Sequence, residues 1–569
     1  MPGENHDEFR VDLSINFQFG ILILFDNFCS WNLAIIGGGM GGATAAHFLR
    51  KQFGSRCSIT LFEQSGRIGG RMKSATFAGR LVETGASIFH SNSQYMNQFA
   101  KEFGLTVSPS AKPDSRVAFY DGFGKCAFST FGGPRLSVIL RYIWHFGLDA
   151  LKMSRYTNEV MKDFSKIYRL QEDGHCFTTT AHLLSALRPE FVQMTTCPYG
   201  TWLTEKVKLG KNMKNELAYS LISNNYCQNF TVHSFVGKFT FHSRDYSSSL
   251  GLFSLSSAIA RLVCVKGGNE LVPANLVKQA LSSNPPGAPK NFIPAQVRSI
   301  SPSSANSRYT LEYSESGHKH VNREEFDYVI LAAPLHQESS IEGKNNLILP
   351  KFQFQRVDQS FFHDDLKEEA FGLKPNSYHP KQELIILPTE QGYLKDINCL
   401  YRSFVSPPSE TVKRVWAIFS EPRRVSDPIR AFSAQYFRSA AEDETTEKPI
   451  LARWYASPVY QTVVSLWSLG MASSDFGEKN TVSFGAHCQA SSRKKEPHGS
   501  DHPGRDLSFT GGGLLKCARN FANPDDVCYE GVLYAYWYIC TYKFVDVTEQ
   551  YTELCGNLQT CCLRSDARF

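Results

Sequence analysis

Leu33-Ala34-Ile35-Ile36-Gly37-Gly38-Gly39-Met40-Gly41-Gly42 organises this chain of 569 residues. Four apolar residues in a row suit a strand buried on both faces, and Ala43 to Lys51 reads as the helix that follows. The glycines between them keep the G-x-G-x-x-G spacing. Gly37 lets the chain reverse, Gly39 lets backbone approach a pyrophosphate, and Gly42 lets the helix pack close to its strand; Gly38 lies inside the same turn. The helix start then offers unpaired N–H groups and the positive end of its dipole to phosphate. Glycine clusters also occur in ordinary turns, so the flanks matter. A second run, Ser58 to Phe62, ends in Glu63, near the offset at which an acidic group meets a ribose hydroxyl pair. The expectation is a βαβ unit with a dinucleotide site.

Past Glu63 the chain continues Gln64-Ser65-Gly66-Arg67-Ile68-Gly69-Gly70-Arg71, and later Glu83-Thr84-Gly85-Ala86-Ser87. Gly69 and Gly70 allow close backbone approach, and Arg71 offers a planar fork of donors to phosphate or carboxylate. These residues resemble the FAD-dependent amine-oxidase-like superfamily, in which such a loop follows the ribose-binding glutamate. The resemblance implies FAD rather than NAD as cofactor. It implies an α/β fold in which a Rossmann-type FAD-binding domain is interleaved with an α+β substrate-binding domain. The cofactor-binding residues it implies are Gly37, Gly38, Gly39, Gly42, Glu63, Gly69, Gly70, Arg71, Gly85, Ser87 and Val297.

Bulk properties set the bounds. The length exceeds one hydrophobic core, so two or more domains are expected. A hydrophobic share of 42% and a charged share of 20% are globular values, and a formal net charge of +6 without a dense basic run gives no nucleic-acid signature. The 42 Phe and 24 Tyr fit an apolar cavity or an aromatic core equally well. Fifteen cysteines lie scattered, seven of them from Cys488 onward, without C-x-x-C pairs or zinc-ligand spacing, so no metal is expected. The apolar run Phe19 to Phe25 is too short to span a membrane, and Glu4, Asp7 and Glu8 before it make a poor signal peptide.

Along the chain, Tyr95 to Phe103 reads as helix and Val117 to Tyr120 as a strand entering a turn. Leu140, Trp144, Leu148 and Leu151 recur at helical spacing and read as packing core. Tyr156 to Leu170 and Thr179 to Leu187 continue as helices. Together they are expected to cap the substrate site. Lys266-Gly267-Gly268-Asn269-Glu270 leads into a helix over Leu271 to Leu281, and Gln296 to Ile300 pairs with Tyr309 to Tyr313 as a hairpin. Phe326 to Leu335 is an apolar strand closed by Pro334, and Leu384 to Leu387 and Val415 to Phe419 are strands of a second sheet. The expected order is a leader over 1–30, FAD-binding segments over 31–115 and 236–340, a helical cap over 116–235, a substrate-domain sheet over 341–437, and a divergent, partly disordered region over 438–569.

Further motifs narrow the resemblance to prenylcysteine oxidase and its close paralogue, also called farnesylcysteine lyase. They are Ser87-Ile88-Phe89-His90, the helical Val160 to Arg169, Asn224 to Gln228 with Phe235-Val236-Gly237, Gly267 to Val272, Asp327 to Leu335, and Lys448 to Leu451. The resemblance implies oxidation of a farnesyl- or geranylgeranylcysteine thioether with O2 and water. The products would be an isoprenoid aldehyde, cysteine and H2O2, formed in the degradation of prenylated proteins, with residence in the lysosome. The protein would set the carbon beside sulfur within reach of the flavin in a dry apolar channel, without nucleophile or metal. His90 is a site candidate by position alone, and Asn229-Phe230-Thr231 is a glycosylation sequon. The chain departs from the family at Cys227, in the insertion Ser248 to Val265, and after Tyr460, where Gly470 to Ser474 only echoes the segment that would lie under the flavin. Two alternatives follow: a flavin amine or polyamine oxidase, and a non-catalytic variant lacking the C-terminal flavin contacts.

Overall fold

A strand with no polar alternation must be covered on both faces, and the first strand, β1 (Trp31–Ile36), shows why. Its neighbours in the computed structural model are both parallel to it: β2 (Cys57–Phe62), reached through α1 (Met40–Phe53), and β4 (Tyr328–Leu331), reached through α2 (Leu271–Ser282) and β3 (Phe292–Ile293). The register sets Ile36 level with Phe62 and with Leu331. The sheet order is β3-β2-β1-β4, extended by the short segments Val532–Ala535 and Ser483–Phe484.

The structure describes residues 31–109, 116–229, 234 and 262–459, apart from 131–133, 174, 177–179, 227, 230, 286–290, 304–307, 319, 350, 376–383, 391–398, 403–413, 423–425 and 439–447, and it describes 483–484, 509–510 and 532–535. The leader with Phe19 to Phe25, residues Cys227 and Phe235 to Gly237, most of the Ser248 to Val265 insertion, Gly470 to Ser474 and the seven C-terminal cysteines lie outside the described residues.

The two faces of this sheet are covered differently. On one side Ala43, Ala46 and Leu49 of α1 and Leu276, Val277 and Ala280 of α2 bury Leu33, Ile35 and Ile59. On the other lies a mainly antiparallel sheet that includes Ala295–Pro302 and Tyr309–Glu315; Phe62 meets Tyr313 and Phe326 at ring-centroid distances of 4.9 and 5.8 Å.

A second, seven-stranded sheet runs in the order Ile450–Pro458, Phe354–Asp364, Arg414–Ser420, Cys399–Arg402, Leu384–Pro388, Arg116–Tyr120 and Cys126–Ser129. The sequence-read strands at Leu384 and Val415 both belong to it. Its far strands carry the helices: Val138, Tyr142, Phe146, Met153 and Leu221 pack with Val117, Phe119 and Leu387. Its near edge meets the nucleotide half. There Phe361, Val415 and Ala417 close on Phe77 and Val82 of a hairpin formed by Ser74–Phe77 and Arg80–Glu83.

One sequence expectation is corrected here. The repeat Leu140, Trp144, Leu148 and Leu151 does not form packing core; all four are exposed. The helix Arg135–Phe146 carries a second apolar stripe, Val138, Tyr142 and Phe146, on its other side, and that stripe meets the sheet. Gly147, at φ +62°, then ends the helix, and a new one spans Asp149–Phe164. No helix among the described residues is long and apolar enough to cross a membrane.

Phe361 is fully buried where the two sheets' territories touch. Phe361→Ala should lower unfolding free energy by about 3–5 kcal/mol in urea melts; a loss under about 1 kcal/mol would show that the seam contributes little.

Candidate active site

The glycines of the first turn are required by backbone, not by flexibility. At Gly37 (φ +110°) a Cβ would stand 2.9 Å from the backbone of Ala332 and Ala333, and at Gly42 it would stand 1.9 Å from the Gly37 carbonyl oxygen. With these contacts made, the Gly37 N–H donates to the Phe62 carbonyl at 2.8 Å. Gly39 caps α1, whose first turn carries no acidic residue, so the helix start can face an anion.

Glu63 follows β2 and is nearly buried. One carboxylate oxygen accepts from the Gly38 N–H at 2.8 Å; the other accepts from the Ser65 N–H at 2.8 Å and its hydroxyl at 2.7 Å. Gly38 therefore sits behind Glu63 and orients it. The loop from Gly66 to Met72 then folds over the turn: the Gly69 N–H donates to the Gly38 carbonyl at 2.8 Å, and a Cβ on Gly70 would come within 2.9 Å of Gly39 Cα. Arg67 locks this loop by donating to the carbonyls of Ile68 and Met72 at 3.0 and 2.9 Å and pairing with Glu270 at 3.4 Å.

Between these parts runs a cavity of about 600 Å3. It starts at Gly37, Gly39, Met40 and Gly41, passes Glu63, Gly69, Gly70 and Val297, and ends at His336 and the edge strand residues Arg453, Trp454 and Tyr455. Arg71 closes the loop side: its guanidinium donates to the Ala456 carbonyl at 2.8 Å and the Tyr455 carbonyl at 3.4 Å. Trp454 is fixed from the other direction, its indole N–H donating to the Thr84 carbonyl. His336 stacks on Tyr455 at 4.1 Å, and burial holds its pKa below the ordinary value. The turn, the helix start and the glycine loop form a cradle rich in glycine backbone, which fits a dinucleotide.

The profile of the prenylcysteine lyase family matches residues 135–472. The chain belongs to the prenylcysteine lyase family. An NAD(P)-binding Rossmann-like domain matches residues 35–103, so this member of the family is an oxidoreductase built on a Rossmann-type nucleotide-binding domain. Among curated relatives, prenylcysteine oxidase 1 of Mus musculus is 25% identical over 437 residues, which is 75% of this chain and 80% of the relative. Prenylcysteine oxidase 1-like of Bos taurus is 29% identical over 443 residues, covering 75% and 81%. Solved structures similar to the chain include putrescine oxidase bound to putrescine, 15% identical with a TM-score of 0.47, covering 77% of this chain and 90% of that one.

Of the residues singled out from sequence, Gly37, Gly39, Glu63, Gly69, Gly70, Arg71 and Val297 line the cavity together. Gly38 and Gly42 stand one layer behind. Gly85 supports Arg71, since a Cβ there would meet the Arg71 carbonyl oxygen at 2.0 Å. Ser87 is off the lining. So is His90, a buried residue whose Nδ1 accepts from the Asn92 N–H at 3.1 Å.

The expected helical cap does not line this cavity: no residue of the described helices between 135 and 226 reaches it, because they cover the opposite strands of the seven-stranded sheet. What sequence reading missed is the far wall, His336 and Arg453 to Tyr455, which carries no local motif.

The family's Gly267-Gly268-Asn269 segment has a structural explanation. The Asn269 side chain accepts from the Val265 N–H and donates to the Ala86 carbonyl, while its backbone N–H donates to Glu83 at 2.8 Å. Burial pushes the Glu83 carboxyl up to about 7 from 4.5 despite this bond and one from the Ser74 hydroxyl. The folded chain therefore binds this proton more tightly than the unfolded chain, and stability falls as pH rises from about 4.5 to about 7. Glu83→Gln should remove that slope, with the gain in unfolding free energy over wild type larger near pH 8 than near pH 5, up to about 3 kcal/mol. A gain independent of pH would refute the assignment.

Proposed function

We propose that this chain is an FAD-dependent prenylcysteine oxidase. It would cleave the thioether of farnesyl- or geranylgeranylcysteine with O2 and water to an isoprenoid aldehyde, free cysteine and H2O2 during breakdown of prenylated proteins. The observation that carries the reading is the single cavity running from the Gly37–Gly39 turn to Trp454 and Tyr455. Family membership and relatives named prenylcysteine oxidase support the substrate class. Residence in the lysosome and a glycan on Asn229 belong to the same proposal.

In this reading Glu63 would accept from an adenosine ribose hydroxyl with the one carboxylate lone pair that Gly38 and Ser65 leave. The N–H groups at the start of α1 would hold the pyrophosphate, and Gly69 and Gly70 would let the loop backbone approach the cofactor. FAD supplies, when bound, the two-electron oxidation of the carbon beside sulfur and the reduction of O2. The chain's own task is position and dryness. Arg71 pins the edge strand to the glycine loop and Trp454 pins it to Thr84, which fixes the far wall at a set distance from the turn. Burial lowers the pKa of His336, which disfavours a charge on that wall.

Purified full-length protein should show flavin absorbance and release peroxide with farnesylcysteine, one peroxide for each aldehyde. Colourless protein that takes up no added FAD would overturn the reading in favour of a non-catalytic variant, and peroxide from amines alone would make it an amine oxidase. Gly70→Ala should retain cooperative unfolding but carry at least about tenfold less flavin per protein, since its Cβ intrudes on Gly39. Unchanged flavin content would detach this loop from the cofactor.

A further inference from the structure

Six of the nine exposed large apolar side chains among the described residues fall between positions 136 and 151, so they form one surface rather than a scatter. On the helix Arg135–Phe146, Leu136, Leu140, Ile143 and Trp144 stand at i, i+4, i+7 and i+8, one continuous stripe. Trp144 is 88% exposed and Leu136 65%. The helix is held by its other side, so this stripe is free of packing duty. Past the Gly147 turn, Leu148 and Leu151 prolong the ridge into the next helix, at 67% and 46% exposure.

Cations surround the ridge. Arg141 is exposed on the same helix, and along the exposed side of Asp149–Phe164 and Lys166–Glu172 come Lys152, Arg155, Lys162, Lys166 and Arg169; Lys152, Lys166 and Arg169 pair with Asp149, Asp163 and Asp173, and Glu159 is exposed among them. A loop bearing the exposed Lys206, Lys208 and Lys211 is tied to the same corner: the Gly210 N–H donates to the Asp149 carboxylate, and Lys152 Nζ donates to the Lys208 carbonyl at 3.2 Å.

We propose that this ridge is a membrane-docking surface, inserting Trp144 and its leucine neighbours at the headgroup boundary of an anionic bilayer while the flanking lysines and arginines meet the lipid charge. A tryptophan-tipped apolar stripe bordered by long cations is what an interfacial helix presents to lipid. A second copy of this chain is the poorer occupant, since an isologous contact would bring the cation belt up against itself. The proposal is independent of the cavity's chemistry, because no ridge residue lines the cavity.

The test is co-sedimentation of the full-length protein with vesicles of phosphatidylcholine alone or with about a third phosphatidylserine. Wild type should bind the serine-lipid vesicles at least about tenfold more tightly and release at high salt. Leu140→Ser with Trp144→Ser should lose at least about tenfold in binding at unchanged Tm, since both side chains are exposed. Arg155→Glu with Lys162→Glu should lose binding to anionic vesicles in particular. Trp144→Phe should still bind, yet lose most of the fluorescence quenching by brominated lipid. No vesicle binding, binding indifferent to the ridge variant, or a dimer that the ridge variant turns into a monomer would each overturn the proposal.

Discussion

In the nucleotide half, three pieces of backbone touch with nothing between them: the first turn against the end of β4, α1 against that turn, and the glycine loop against Gly39. Each contact is closer than a methyl group allows. This close approach fixes where the groove lies, because the atoms that touch one another leave Gly37, Gly39 and the helix start at Met40 and Gly41 lining the cavity. The Gly38 N–H holds the Glu63 side chain against that floor, and Arg67 holds the loop above it through the Met72 carbonyl.

The second sheet is then hung on this floor by a few polar ties set around an apolar seam. Arg71 grips the carbonyls of residues 455 and 456, Trp454 grips that of Thr84, and the Gln359 amide donates to the Glu83 carbonyl at 3.1 Å. Phe361 and Phe77 fill the space beneath. Arg71, a residue of the glycine loop, thus also sets the geometry of the opposite wall.

How much of this could be read from sequence depended on whether the signal was local. Strands buried on both faces announce themselves as unbroken apolar runs, so β1, β2 and β4 were legible, and the glycine spacing gave the turn. The hairpin at Ser74 was not, because its turn residues are Ala78 and Gly79; Ala78 takes a φ of +50°, where Asn or Asp would have signalled a turn. The helix Arg135–Phe146 misled for a different reason: it carries two apolar stripes, and periodicity cannot say which of them meets the core. The far wall was invisible because Arg453, Trp454 and Tyr455 acquire their role only through partners hundreds of positions away.

Those separations shape how the molecule is made. Arg71 and Ala456 lie 385 positions apart, Trp454 and Thr84 lie 370 apart, and the side chain of Asp327 accepts from the Asn32 N–H across 295. A chain emerging from the ribosome can form α1 early, but it has no β4 to complete the parallel sheet and no edge strand to close the groove until most of its length has been synthesised. Its apolar first strand must wait beside unpaired edges for that long, which makes the nascent protein a natural client for chaperones.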